Sequence, residues 1–167
     1  MHKIYFILLL TVSGFLLSEY KNTNGVASEK SFADMLKWIR SDIEPQISKI
    51  ELSSEWQKLN LLDDDNYAVW IGHSTFLIKK NGVTILTDPI FSDRASPLKN
   101  IGPKRLIPPA IALDDIPHID IVTISHNHYD HLDINSLKKI AKKHPDAIFL
   151  VPTGDEKLLS RKKINNV

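Results

Sequence analysis

The chain has 167 residues, with 21 Lys or Arg against 20 Asp or Glu and a formal net charge of +1, so it has no bulk field to gather a polyanion and nucleic acid is not expected as its partner. With 43% hydrophobic residues and both charge signs interspersed, it can bury a core as one domain or part of one. It has no cysteine, which excludes disulfides, thiolate zinc sites, cysteine nucleophiles and a lipoprotein anchor, and leaves nitrogen and oxygen as the only metal donors.

Met1-His2-Lys3 carries a positive charge, and Ile4 to Leu17 contains no charged residue. That run falls short of the roughly 20 residues needed to span a bilayer, so residues 1–18 read as an export signal, with an uncleaved membrane anchor as the alternative. Periplasm or cell envelope is the expected location, and the lack of cysteine fits an oxidising compartment. Residues 19–30 are polar and aperiodic, a linker. From residue 31 a domain begins, with Ser31 as an N-cap and Phe32, Met35, Leu36 and Ile39 at helical spacing before Pro45. The run Asp63-Asp64-Asp65 lacks the alternating ligands and glycine of a calcium loop and reads as a solvated turn.

Tyr67 to Ile71, Thr75 to Lys79 and Val83 to Thr87 are short runs rich in β-branched and aromatic residues, and Asn81-Gly82 between the last two signals a tight hairpin. A Pro-rich irregular stretch follows from Pro89 to Pro117. Ile119 to Ile124 then reads as a strand, Ile134 to Lys143 as a helix with His144 exposed beside Lys142 and Lys143, and Ala147 to Val151 as a further strand. Strand, helix, strand predicts an α/β layer. Several of these strands are apolar on both sides, which predicts a sheet with one face in need of a cover.

The chemistry concentrates in Ser125-His126-Asn127-His128-Tyr129-Asp130-His131, where a buried strand ends and before a helix begins. In an extended turn His126 and His128 can point to the same side and share one cation, while Asp130 and His131, from the next bend, can serve a second. Imidazole and carboxylate without thiolate suit zinc, manganese or iron, with zinc the default. A pair of cations sharing a hydroxide supplies a nucleophile at neutral pH.

His126-x-His128-x-Asp130-His131 after a hydrophobic strand resembles the signature of the metallo-β-lactamase superfamily. The flanking segments Trp70-Ile71-Gly72-His73-Ser74-Thr75, Thr87-Asp88-Pro89-Ile90-Phe91-Ser92, Arg94-Ala95-Ser96-Pro97 and Gly102-Pro103-Lys104-Arg105 resemble its N-acylphosphatidylethanolamine phospholipase D-like branch. The resemblance covers roughly residues 32–167. It implies the N-terminal half of an αβ/βα sandwich, preceded here by the signal-like helix, and a dinuclear zinc centre. The implied reaction is hydrolysis of a phosphodiester in an N-acylphosphatidylethanolamine-like phospholipid, or of another small phosphodiester or ester, at a membrane surface. His126 and His128 would bind the first zinc and Asp130 and His131 the second, with Asp130 also assigned to catalysis. Asp88 would orient a ligand from behind, and His73 would lie beside the site without being a ligand. Lys104 and Arg105 are weaker candidates for meeting a phosphate.

The same resemblance implies a longer protein whose second half supplies another His, a bridging Asp and a last His. After His131 the sequence contains only His144. The alternative expectation is therefore a truncated, non-catalytic fragment, or a half completed by a second, C-terminal chain, that holds at most one cation weakly.

Overall fold

The computed structural model describes residue 33, residues 53–63, 66–97, 100 and 102–167. The expected export segment, the linker and the helix before Pro45 lie outside the described residues, apart from residue 33. The chain divides into two units, Met1–Gln46 and Ile47–Val167, and the description below concerns the second.

Five strands form one mixed sheet in sequence order: β1 (Asn66–Gly72), β2 (Thr75–Lys80), β3 (Val83–Thr87), β4 (Ile121–Thr123) and β5 (Ile148–Leu150). β1, β2 and β3 are an antiparallel meander, whereas β3, β4 and β5 run parallel. The switch follows from the connections. Asn81 and Gly82 take φ of 50° and 81°, the paired positive values of a two-residue hairpin whose twist matches antiparallel strands. Beyond β3 the chain needs a crossover, and β4 reaches β5 through α1 (Ile134–Lys143). A short α2 (Glu156–Arg161) follows β5.

Register places Tyr67, Val69 and Ile71 on one face with Leu77, Leu86, Val122 and Phe149, all buried. Leu137 and Ile140 of α1 and Leu159 of α2 belong to the same core cluster, with Ile164 beyond it. Each such fully buried aliphatic contributes about 1.5–3 kcal/mol, and the four together hold the helical layer to the sheet. α1 begins at Asp133, whose side chain accepts from the Asn135 amide, and the Lys143 ammonium near its end donates to the carbonyls of Leu113, Asp114 and Ile116.

Among the described residues the opposite face is partly exposed. Ala68 pairs with Ile78, Ile78 with Ile85, Ile85 with Ile121 and Ile121 with Ile148, giving an apolar row across all five strands. Trp70 and Phe76 sit beside it at about 40% exposure, and Ile148 and Leu150 are just over half exposed.

Two expectations need correction, and one element is new. His144 is not exposed: it is the C-cap of α1, only 5% accessible, and its Nε2 has no hydrogen-bond partner among the described residues. Proline at 145 ends the helix there and turns the imidazole into the core edge beside His118. The strands β4 and β5 are shorter than their apolar runs, because Ile119, Ile124 and Ala147 are buried outside the paired segment. α2 was not anticipated, since six residues carry too little periodicity to register.

Candidate metal centre

The site is built at the carboxyl ends of β3 and β4, where parallel strands leave a crevice for ligands. Asp88 follows β3 with φ of 36° and is buried; its amide donates to Thr123 O, which locks the end of β3 to β4. Thr75 is fully buried: its hydroxyl donates to Asp88 O and accepts from the Ile90 amide. The Gly72-His73 turn between β1 and β2 has φ of 142° and 52°, and Trp70 Nε1 donates to His73 O, which pins the turn that carries His73.

Asp88 organises the loop. Its Oδ1 accepts the Ser125 amide at 2.7 Å, and its Oδ2 accepts the Ser125 hydroxyl at 2.8 Å and lies 2.9 Å from His131 Nδ1. Burial alone would raise the pKa of this carboxyl, but bonds from His131 and from the Ser125 amide and hydroxyl, with the His131 charge, outweigh it and hold the pKa below its ordinary value. A carboxylate that stays ionised can only accept, so His131 donates through Nδ1, and in the neutral ring this leaves the Nε2 lone pair free. The constraint propagates through Ser125: its hydroxyl hydrogen is given to Asp88, so Ser125 Oγ accepts from His126 Nδ1, 2.9 Å away, and His126 Nε2 is freed as well. Asp88 therefore sets the tautomer of two imidazoles, one directly and one through a serine.

Each freed nitrogen faces another potential ligand. His126 Nε2 lies 3.1 Å from His128 Nδ1, and burial, reinforced by His131 and His128 and opposed by Asp130 and Asp88, keeps the His126 pKa below its ordinary value and its ring neutral. His131 Nε2 lies 3.6 Å from Asp130 Oδ2, and His73 Nε2 is 3.1 Å from the same oxygen. Among the described residues, His73, Asp130 and His131 place one ligand atom each within 4.8 Å of the others, an arrangement able to hold a metal ion. This donor set, imidazole nitrogen and carboxylate oxygen, fits a divalent cation. The structure thus gathers His126 with His128, and Asp130 with His131, and adds His73 to the second group. The sequence places His73 beside the site without making it a ligand; a lone histidine in a turn gives no signal of the long-range contact it makes. Within the motif, nothing local to Ser125 signals its bond to Asp88.

Arg105 and Lys104 part company. The Arg105 guanidinium faces the carbonyls of Ile90, Ser92 and Ile107, so it ties together the loop after β3 and is spent on backbone. Lys104 is exposed and pairs through its backbone with Arg94. Asp133 is likewise structural: its Oδ2 accepts from the Phe91 and Ser92 amides and from the Ser136 hydroxyl while its Oδ1 caps α1, joining that loop to the helix behind the site.

A family model described as the Beta-lactamase superfamily domain matches residues 68–167. The chain is 42% identical over 98 residues to N-acyl-phosphatidylethanolamine-hydrolyzing phospholipase D 1 of Caenorhabditis elegans, covering 59% of this chain and 28% of that protein. It is 38% identical over 101 residues to the mitochondrial N-acyl-phosphatidylethanolamine-hydrolyzing phospholipase D of Saccharomyces cerevisiae, covering 60% and 21%. A UPF0173 metal-dependent hydrolase of Lawsonia intracellularis is 38% identical over 64 residues, covering 38% and 23%. The chain spans about a quarter of the length of these curated relatives. It belongs to the beta-lactamase superfamily, and its five-stranded mixed sheet with flanking helices is an α/β arrangement of that kind.

Proposed function

We propose that this chain carries part of the metal centre of a zinc-dependent hydrolase that cleaves a phosphodiester in N-acylphosphatidylethanolamine-like phospholipids. The observation that carries this reading is the clustering of His73, Asp130 and His131 beside the His126–His128 pair, with Asp88 fixing which nitrogens of His126 and His131 are free. The relatives' printed activities supply the substrate class. A bound divalent cation would supply Lewis-acid polarisation of a phosphoryl oxygen. The protein's own residues do the rest. His126 and His128 would hold one ion; Asp130 and His131 would hold the other, with His73 oriented on the Asp130 carboxylate. Asp88 and Ser125 keep the ligating nitrogens deprotonated, and burial keeps His126 neutral at pH 7.

A second reading is that this polypeptide by itself binds a cation but does not turn over. The donor count favours it: His126 and His128 offer two nitrogens to one ion, against the three protein ligands usual at a catalytic zinc. The proposal extends to residues 1–18 as an export signal or membrane anchor, on the apolar run between Lys3 and Glu19 alone. The test is zinc titration followed by release of phosphatidic acid from an N-acylphosphatidylethanolamine dispersion. Turnover lost in His126→Ala/His128→Ala supports the hydrolase. Zinc binding without turnover supports the second reading, and no zinc binding at all refutes both.

A further inference from the structure

At the other end of α1 and α2 from the metal loop lies an open groove of about 470 Å³. Five cationic side chains line it: Lys138 and Lys142, one turn apart on α1, and Arg161, Lys162 and Lys163 at the end of α2. Ala141 and Ile164 supply its apolar part, and no carboxylate lines it among the described residues. All five cations are exposed, and none is paired with a carboxylate among the described residues. The placement is enforced by the fold. Lys162, Lys163 and Ile164 donate their amides to Leu159 O, Ser160 O and Leu159 O, Lys163 takes φ of 67°, and the buried Ile164 side chain anchors the turn in the core.

A chain of net charge +1 has therefore concentrated five of its 21 basic residues around one groove, where their mutual repulsion is opposed by nothing in the described structure. Such a surface is complementary in charge to an anionic partner. The groove lacks the features of a site for a single phosphate: the amides at its C-terminal wall are spent on helix carbonyls, and no buried donor points into it. It also lacks what nucleic acid selects, having no aromatic platform and a single Arg for planar recognition. What remains is a lysine-rich, open surface whose point charges each gain a little from an extended anionic layer.

We propose that this groove docks the protein on an anionic phospholipid surface. Each Lys or Arg at such a leaflet raises the partition coefficient by roughly five-fold, and the attraction is screened within about 8 Å at physiological salt. The proposal is independent of the metal loop.

The experiment is co-sedimentation of the full chain with vesicles of phosphatidylcholine alone or with about a third phosphatidylserine. The anionic vesicles are expected to be preferred, and Lys142→Gln/Lys162→Gln to lose roughly 25-fold of that preference. Lys58→Gln/Lys80→Gln, which removes the same charge elsewhere, and His126→Ala/His128→Ala should both retain it. Thermal melts of each variant establish that the fold is kept. Equal binding to neutral vesicles, or equal loss in the Lys58/Lys80 control, overturns the proposal. Displacement from vesicles by millimolar inorganic phosphate would assign the groove to the free ion. Tighter binding to an RNA oligonucleotide would assign it to nucleic acid. Either result overturns the proposal.

Discussion

Replacing Asp88 by Asn is the sharpest perturbation of the metal centre, because it keeps the shape and removes only the obligation to accept. In the native site Oδ1 takes the Ser125 amide and Oδ2 takes the Ser125 hydroxyl and His131 Nδ1. An Asn side chain can still accept the Ser125 amide, but its NH2 then faces the hydroxyl and the imidazole. His131 must turn acceptor at Nδ1, which moves its proton to Nε2, the nitrogen facing Asp130. Loss of the charge-assisted bond costs about 1.5–3 kcal/mol of stability, and loss of the correct tautomer costs roughly 10–100-fold in metal affinity. The pH dependence has a definite sign. The folded pKa of Asp88 is depressed, so its stabilisation is fully present above the ordinary value near 3.9 and is lost as pH falls through the folded value. The variant should therefore differ most from wild type at pH 7, and the gap should close in acid. Calorimetric titration with zinc gives the affinity, and imidazole 15N shifts give the tautomer. An Asp88→Asn protein that binds zinc as wild type does, with His131 still protonated on Nδ1, would refute the argument that Asp88 sets the ligand state.

Ser125→Ala should reduce zinc affinity less than Asp88→Asn, since it releases His126 while leaving His131 bonded to Asp88; an equal or larger loss by calorimetry would contradict the relay. Thr75→Val, at a fully buried position, should cost about 1–3 kcal/mol in denaturant unfolding by orphaning the Ile90 amide. His144 is held below its ordinary pKa by burial, with Lys143 and His118 adding repulsion, so protonation favours the unfolded chain. Its contribution is full above about pH 6.5 and is lost as pH falls toward the folded value, by at most about 1.4 kcal/mol per pH unit; this acid limb should vanish in His144→Leu. The open sheet face should bind a dye sensitive to exposed apolar surface and drive self-association of the chain, both reduced by Ile148→Thr/Leu150→Thr; a monodisperse wild type without dye binding would count against an uncovered face.

The strands were legible because their signals are local. Alternation in Asn66–Gly72, with residues 67, 69 and 71 inward, and the Asn81-Gly82 turn each state a conformation within a few residues. Ile134–Lys143 was equally plain, its apolar positions recurring at helical spacing. What local pattern does not carry is ownership of polar groups. Arg105 in a loop beside Lys104 reads as a phosphate contact, yet it bonds carbonyls 13 and 15 residues earlier. His144 next to two lysines reads as solvent-exposed, yet the chain turns it inward at the residue before proline.

The metal centre divides along the same line. Its ligand cluster is contiguous and announces itself through residue type: three imidazoles and a carboxylate between His126 and His131. The groups that make those side chains competent are distant in sequence. Asp88 reaches Ser125 across 37 residues and His131 across 43, and His73 reaches Asp130 across 57. Parallel pairing of β3 with β4 brings the first two together, because it aligns the carboxyl ends of both strands; the β1–β2 turn contributes the third. The sheet topology is thus itself part of the chemistry. Asp88 can dictate tautomers only because the Thr123 carbonyl holds its amide at the end of β4, and slipping that pairing by one residue would turn the carboxylate to the other face. A motif can name the ligands, but their protonation state is a property of the register between two strands.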